Sequence, residues 1–226
     1  MGEVIGNLLP LAVGVAISPI PIIAVILMLL SRHARTTGPG FLAGWAAGIV
    51  IATTLLVVIA NAIGMNGPAG EPKTPVSWIE LLLGVLVLTL AARQWTSRPR
   101  EGTQPEVPSW MKAIDEVTPA RAASLGLLLS AVNPKNLMMC VAAGIAIAQG
   151  ELGIGEEVGA VAVFSVIAAC SVAIPVLVYV IDAERMRGPL DELKVWLESN
   201  NATVMFVLLL VIGVVLLGKG IGGLIN

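Results

Sequence analysis

The sequence predicts an all-α integral membrane protein: six transmembrane helices forming two inverted three-helix repeats, with helices one and four broken at prolines. Three observations lead there. The chain has 226 residues, 57% hydrophobic and only 12% charged, with a mean hydropathy of +0.92; an ordinary soluble domain is about 25% charged. Apolar runs of about 20 residues, the length that crosses a bilayer core, recur six times along the chain. Prolines then fall at matching places in its two halves.

The predicted spans are 4–30, 41–63, 76–95, 121–149, 157–181 and 202–220. They divide the chain into a first three-helix repeat (1–95), a cytoplasmic linker with an amphipathic segment (96–120) and a second repeat (121–226). The third span is the cleanest. Trp78 and Trp95 lie 17 residues apart, about 26 Å along a helix, which suits aromatic belts at both edges of a bilayer. The opening Met-Gly-Glu lacks the basic residues and small-residue cleavage site of a secretory signal, so the first segment is expected to stay as a helix.

Orientation follows from Lys and Arg. The 31–40 loop holds Arg32 and Arg35, the 93–121 linker holds Arg93, Arg98, Arg100, Lys112 and Arg121, and the 182–201 loop holds Arg185, Arg187 and Lys194. These loops share one side and carry ten of the thirteen positive residues; Lys73 and Lys219 lie on the other. The positive-inside rule makes the basic side cytoplasmic and both termini extracytoplasmic. Two cytoplasmic stretches are amphipathic: 108–118 through Trp110, Met111, Ile114 and Val117, and 189–199 through Leu190, Leu193, Trp196 and Leu197. Both are expected to lie in the membrane interface, with docking of a partner as the alternative.

The halves align at an offset of 115: Ala16-Ile17-Ser18-Pro19 falls on Ala131-Val132-Asn133-Pro134, and Gly38, Gly40 and Gly44 fall on Gly153, Gly155 and Gly159. Further on the offset stretches, and Gly84-Val85 falls on Gly213-Val214. Three helices per half is an odd number, which inverts one half relative to the other, as in many transporters. Gly40, Gly44 and Gly48 form a small-residue ridge, and Gly155 and Gly159 begin the fifth helix likewise; such ridges suit close helix packing within the chain or along a homodimer seam.

Proline removes a backbone donor and bends a helix. Pro19 and Pro21 sit near the middle of the first span and Pro134 at the equivalent place in the fourth, and paired interruptions of this kind point to a transporter site. Asn133, Lys135 and Asn136 place two amides and a cation in the second break, with Ser18 as the polar counterpart in the first. A charge near the bilayer centre costs at least about 2.5–3.5 kcal/mol and avoids lipid. With acidic residues placed outside the membrane interior, Lys135 has no carboxylate partner. It suits an anionic ligand such as a phosphate, sulfate or carboxylate head group, helped by helix N-termini at the breaks. Ser18, Pro19, Pro21, Asn133, Pro134, Lys135 and Asn136 are therefore the candidate substrate site.

Other chemistries fall away. A net charge of −2 gives no basic field for nucleic acid, and the lone histidine, His33, cannot build a His-based metal site. There is no phosphate-binding Gly-rich loop ending in Gly-Lys-Ser/Thr, and no nucleophile–base pair for an enzyme. Cys140 and Cys170 sit in apolar runs and read as small buried hydrophobes. No cofactor is expected.

At these residues the chain resembles the lysine-exporter (LysE) superfamily. Ser18-Pro19-Ile20-Pro21 and Asn133-Pro134-Lys135-Asn136 are similar to its paired proline motifs, and the run from Asn136 to Gly144 looks most like the actinobacterial GAP family of peptidoglycolipid or sulfolipid addressing proteins. The Ala-, Gly- and Val-rich composition agrees with a high-GC source. The resemblance implies six helices, an inverted repeat and a role in moving cell-envelope glycolipids across or out of the plasma membrane. Amino-acid exporters resemble Pro-Gly-Pro where this chain has Pro19-Ile20-Pro21, which argues against an amino-acid substrate. Thiol–disulfide carriers place a cysteine in the first helix, which here has none. The expected function is a flippase-like exporter of an anionic envelope lipid, with membrane lipids and a larger lipid export system as partners. An exporter of a small solute and an accessory scaffold are the alternatives.

Overall fold

The computed structural model describes residues 1–64, 74–96 and 117–225. Among them are eight α-helices and no strand: α1 (Gly2–Ala16), α2 (Pro19–Leu30), α3 (Ala34–Ala62), α4 (Thr74–Thr96), α5 (Pro119–Ala131), α6 (Pro134–Ala148), α7 (Ile154–Ile181) and α8 (Ala183–Ile225). Four helices (α3, α4, α7 and α8) are long and apolar enough to cross a membrane alone. Two bent pairs, α1–α2 at 53° and α5–α6 at 62°, raise the number to six if each pair is one span.

The apolar residues face two ways. Trp45, Phe41, Phe164, Met28 and Leu29 are fully buried at the centre, and the rings of Phe41 and Trp45 stack at 6.4 Å. Ile51, Leu55 and Val58 of α3, Val166, Ile174 and Leu177 of α7, and Val207, Val211 and Val214 of α8 lie open on the outside. Apolar area in water costs about 25 cal/mol per Å², so this outer surface belongs in lipid, and the chain is a multi-pass membrane protein. Trp78 and Trp95 are both exposed, near opposite ends of α4.

Glycine ridges set the two most extensive helix pairings. In α3 against α5, a Cβ on Gly40 would meet the Pro119 carbonyl oxygen at 2.8 Å, one on Gly44 the Ala123 carbonyl, and one on Gly48 the Ser130 hydroxyl; on α5, Gly126 faces the Phe41 carbonyl. In α4 against α8 the contacts are reciprocal: Gly84 opposes Leu217 and Gly213 opposes Leu88. Gly155 and Gly159 do not act this way within the chain. A Cβ on Gly155 would meet nothing within 4 Å, and one on Gly159 only Met1 Cε at 3.9 Å. Their helix, α7, packs on α1, and α1 carries the buried Leu8 and Leu11 where α5, at the 115-residue offset, carries Ala123 and Gly126.

Two expectations need correction. The 189–199 stretch is not a separate interfacial helix: α8 runs unbroken over 43 residues, about 64 Å, twice a bilayer core. Pro189 falls early in it, and the polar run that should end it stays helical by bonding backward. Ser199 Oγ donates to the Val195 carbonyl at 2.8 Å and Asn200 Nδ2 to that of Trp196 at 2.9 Å. Leu190 and Leu197 turn into the core while Leu193 and Trp196 face out. Secondly, Glu80 falls within a helix long and apolar enough to cross a membrane, half-buried on the second turn of α4. The amphipathic residues 108–116, and most of the 96–120 linker, lie outside the described residues.

The ridge generates a test. Gly44→Leu drives a side chain into the Ala123 backbone, and overpacking of this kind costs about 1–3 kcal/mol or more. The variant should melt well below wild type in detergent, while Gly155→Leu should melt with it. Equal melting of all three would contradict the packing.

Candidate functional site

Both bent pairs break in the same way. Two residues, Ile17-Ser18 and Val132-Asn133, separate the half-helices, and a proline opens the second half each time. In a continuous helix each N–H bonds the carbonyl four residues earlier. At the first break Ser18 turns its N–H to the Ala16 oxygen instead, at 2.8 Å, and Pro19 and Pro21 have none to give. The carbonyls of Gly14 and Ile17 thus lose their intrahelical partners. At the second break Asn133 is extended and its Oδ1 accepts the Lys135 N–H at 3.0 Å.

Side chains replace the missing donors, and they come from the second break. Lys135 is 3% exposed. Its Nζ donates to the Gly14 oxygen at 2.6 Å and to the Ile17 oxygen at 3.4 Å, spanning from the start of α6 to the end of α1. Asn136, fully buried, donates from Nδ2 to the Leu129 oxygen at 3.2 Å, capping its own α5. Gly14 and Leu129 are themselves 115 residues apart, the offset at which the two halves of the sequence align. Ser171 of α7 adds a third cap, Oγ to the Ala16 oxygen at 2.6 Å. The residues around the first break had signalled nothing of Ser171, because a serine in an apolar helix is unremarkable until its neighbour is known.

The electrostatics differ from those expected. Among the described residues Lys135 has no carboxylate partner but is not idle: its cation sits at the C-terminal, negative end of the α1 dipole, where a charged donor on a carbonyl contributes about 1.5–3 kcal/mol. The helix N-termini do not form an anion cradle. Pro19 and Pro21 strip donors from the start of α2, leaving Ile20 as the free N–H ahead of Ile22, which bonds the Ser18 carbonyl. Pro134 and the Asn133–Lys135 bond do the same for α6. Ser18 is buried and makes no cap bond. Asn136 Oδ1 is buried without a partner, as are Trp45 Nε1 and the hydroxyls of Thr53 and Ser165. The structure therefore brings Lys135 to α1, keeps Asn133 and Asn136 bonded at the second break, and leaves Ser18, Pro19, Pro21 and Pro134 as shapers of backbone. Among the described residues no three His, Cys, Asp or Glu converge as a metal site.

A second polar cluster closes the end of the bundle that carries both termini. Lys219 Nζ of α8 donates to Asn7 Oδ1 of α1 at 2.8 Å. Beside it a cavity of about 10 Å³ is bordered by Asn7, Glu80 and Lys219 with apolar neighbours, room for about one water.

Against known proteins, a family described as Sap, sulfolipid-1-addressing protein, matches residues 8–222. No curated protein and no solved structure matches the chain.

The caps predict a stability pattern. Lys135→Met strands the Gly14 and Ile17 carbonyls, at about 1–3 kcal/mol for each buried group left unpaired. Its melting temperature should fall clearly, that of Asn136→Leu by less, and that of Ser18→Ala hardly at all. Thermal unfolding of the three purified variants checks this; an unchanged Lys135→Met would contradict the bonding at the break.

Proposed function

Because the chain belongs to the sulfolipid-1-addressing protein family, we propose that it moves an anionic cell-envelope glycolipid across or out of the plasma membrane, the head group passing at the paired helix breaks. One observation carries the reading: among the described residues, a buried cation in a span is held by backbone carbonyls of the opposite half. A lysine offers three N–H donors. A sulfate or carboxylate is a stronger acceptor for an ammonium than a neutral carbonyl, since it adds the attraction of opposite full charges. An arriving head group takes Lys135 from Gly14 and Ile17, and the sugar hydroxyls of a glycolipid satisfy the carbonyls left behind. The exchange unties α1 from α6, so binding and opening are one event.

The contacts support two inverted repeats. The break in α1–α2 and that in α5–α6 each place a proline at the start of the second half-helix. α3 of the first half packs on α5 of the second, and α7 of the second packs on α1 of the first. α4 and α8 meet through reciprocal Gly–Leu contacts, as two elements on a pseudo-two-fold axis should. Six crossings leave both termini on one side, which the basic loops make extracytoplasmic. In a background without Cys140 and Cys170, cysteines at Glu151 and Arg187 should label oppositely with an impermeant reagent in intact cells; equal labelling would refute the orientation.

The substrate reading is tested by lipid retained and exported per unit of folded protein. Wild type should keep an anionic glycolipid in native mass spectra after gentle extraction. Lys135→Arg should keep part of it, because charge survives while the compact ammonium does not. Lys135→Met should lose about 10- to 100-fold in affinity, the equivalent of one charged bond. Full binding and export by folded Lys135→Met would end the proposal.

A further inference from the structure

Glu80 and Lys219 have no part in the break, yet both stand inside helices that cross the membrane. An ionisable group there is costly and marks function by default. Their geometry is unusual for opposite charges. They border one small cavity, but among the described residues no ion pair within 4.0 Å involves Glu80. Lys219 instead donates to the neutral amide of Asn7 at 2.8 Å. A carboxylate accepts from an ammonium far better than an amide does. The observed arrangement is the one a protonated, neutral Glu80 produces.

We infer that Glu80 is a proton-binding site whose charge state decides whether Lys219 holds α1. With the proton on Glu80, Lys219 binds Asn7 and fixes α1 to α8, as in the structure. When the proton leaves to water at the termini-bearing end of the bundle, the carboxylate draws Lys219 across the cavity and Asn7 is released. The other charged group near Lys219 is Glu3, one turn before Asn7 on α1. α6 contributes only Ala142 to the cavity, so among the described residues no further titratable side chain lines it with Glu80. The consequence reaches the break: Asn7 and Gly14 are two turns apart on one face of α1, and Gly14 carries Lys135. Resting on the transport reading, the site couples proton binding to opening of the break.

Positions for spin labels are at hand, since nothing lies within 4 Å of a Cβ built on Gly6 or Gly222. In full-length protein reconstituted in phosphatidylcholine–phosphatidylglycerol vesicles, without added substrate, the Gly6→Cys/Gly222→Cys distance should change between acid and alkaline buffer. In Glu80→Gln it should stay at the acid value at every pH. A wild-type distance that ignores pH, or a Glu80→Gln distance that still follows it, overturns the site. Glycolipid export driven by an imposed pH gradient gives the second readout: Glu80→Gln should lose the response to the gradient, and a retained response overturns the coupling. A wild type that shifts with pH yet moves no lipid would refute the transport reading while upholding the proton site.

Discussion

A single ammonium group holds the two halves of this molecule together at their weakest point. Breaking a helix inside a membrane strands carbonyls where no water can reach them, and each stranded group costs several kcal/mol in hydrocarbon. Pro19 and Pro21 make the first break irreparable from within, since neither has an N–H to give. Lys135 repairs it from the other half through Gly14 and Ile17, and Ser171 adds a bond from α7. The close α3–α5 and α4–α8 pairings follow the same economy of backbone contact: where helices approach along Gly40, Gly44 and Gly48, no side chain keeps them apart.

This makes the break both stable and conditional. Protein carbonyls are adequate partners for a cation, but a sulfate or carboxylate is a better one. In the proposed function the lock is therefore selective by chemistry: a neutral lipid gives Lys135 no reason to leave. The asymmetry between breaks matters too. Asn136 caps its own α5 and carries no charge, whereas the first break depends on a cation from the other half; in the proposed function the first break is therefore the one that yields.

Much of this was legible in the sequence, for physical reasons. Spans announce themselves by length and hydropathy, and the prolines at 19 and 134 mark breaks because a missing donor is a local property. Lys135 stood out because charge in a span is rare. Its partners were not legible, because backbone carbonyls have no sequence signature and Gly14 looks like any glycine. Asn136 reads as a substrate residue in the sequence, and its bond to the Leu129 carbonyl was hidden for the same reason. Glu80 lies inside the predicted 76–95 span but near its end, where hydropathy places the helix without fixing how deep a side chain is buried. The 182–201 stretch reads as a loop with an amphipathic segment, yet the helix continues through it, and Ser199 and Asn200 bond back onto its carbonyls. Gly155 and Gly159 match Gly40 and Gly44 in spacing, but packing depends equally on the facing helix, and neither position is closely approached by one.

The account stands on the exchange of Lys135 between carbonyls and an anion. It is tested most directly by nitrogen-15 nuclear magnetic resonance of lysine-labelled protein, with the Lys135 ammonium assigned through Lys135→Arg and a sulfated glycolipid titrated in. The account predicts that the Lys135 signal shifts and saturates with the sulfated lipid and stays still with its desulfated counterpart. A Lys135 signal unmoved at saturating sulfated lipid would contradict it.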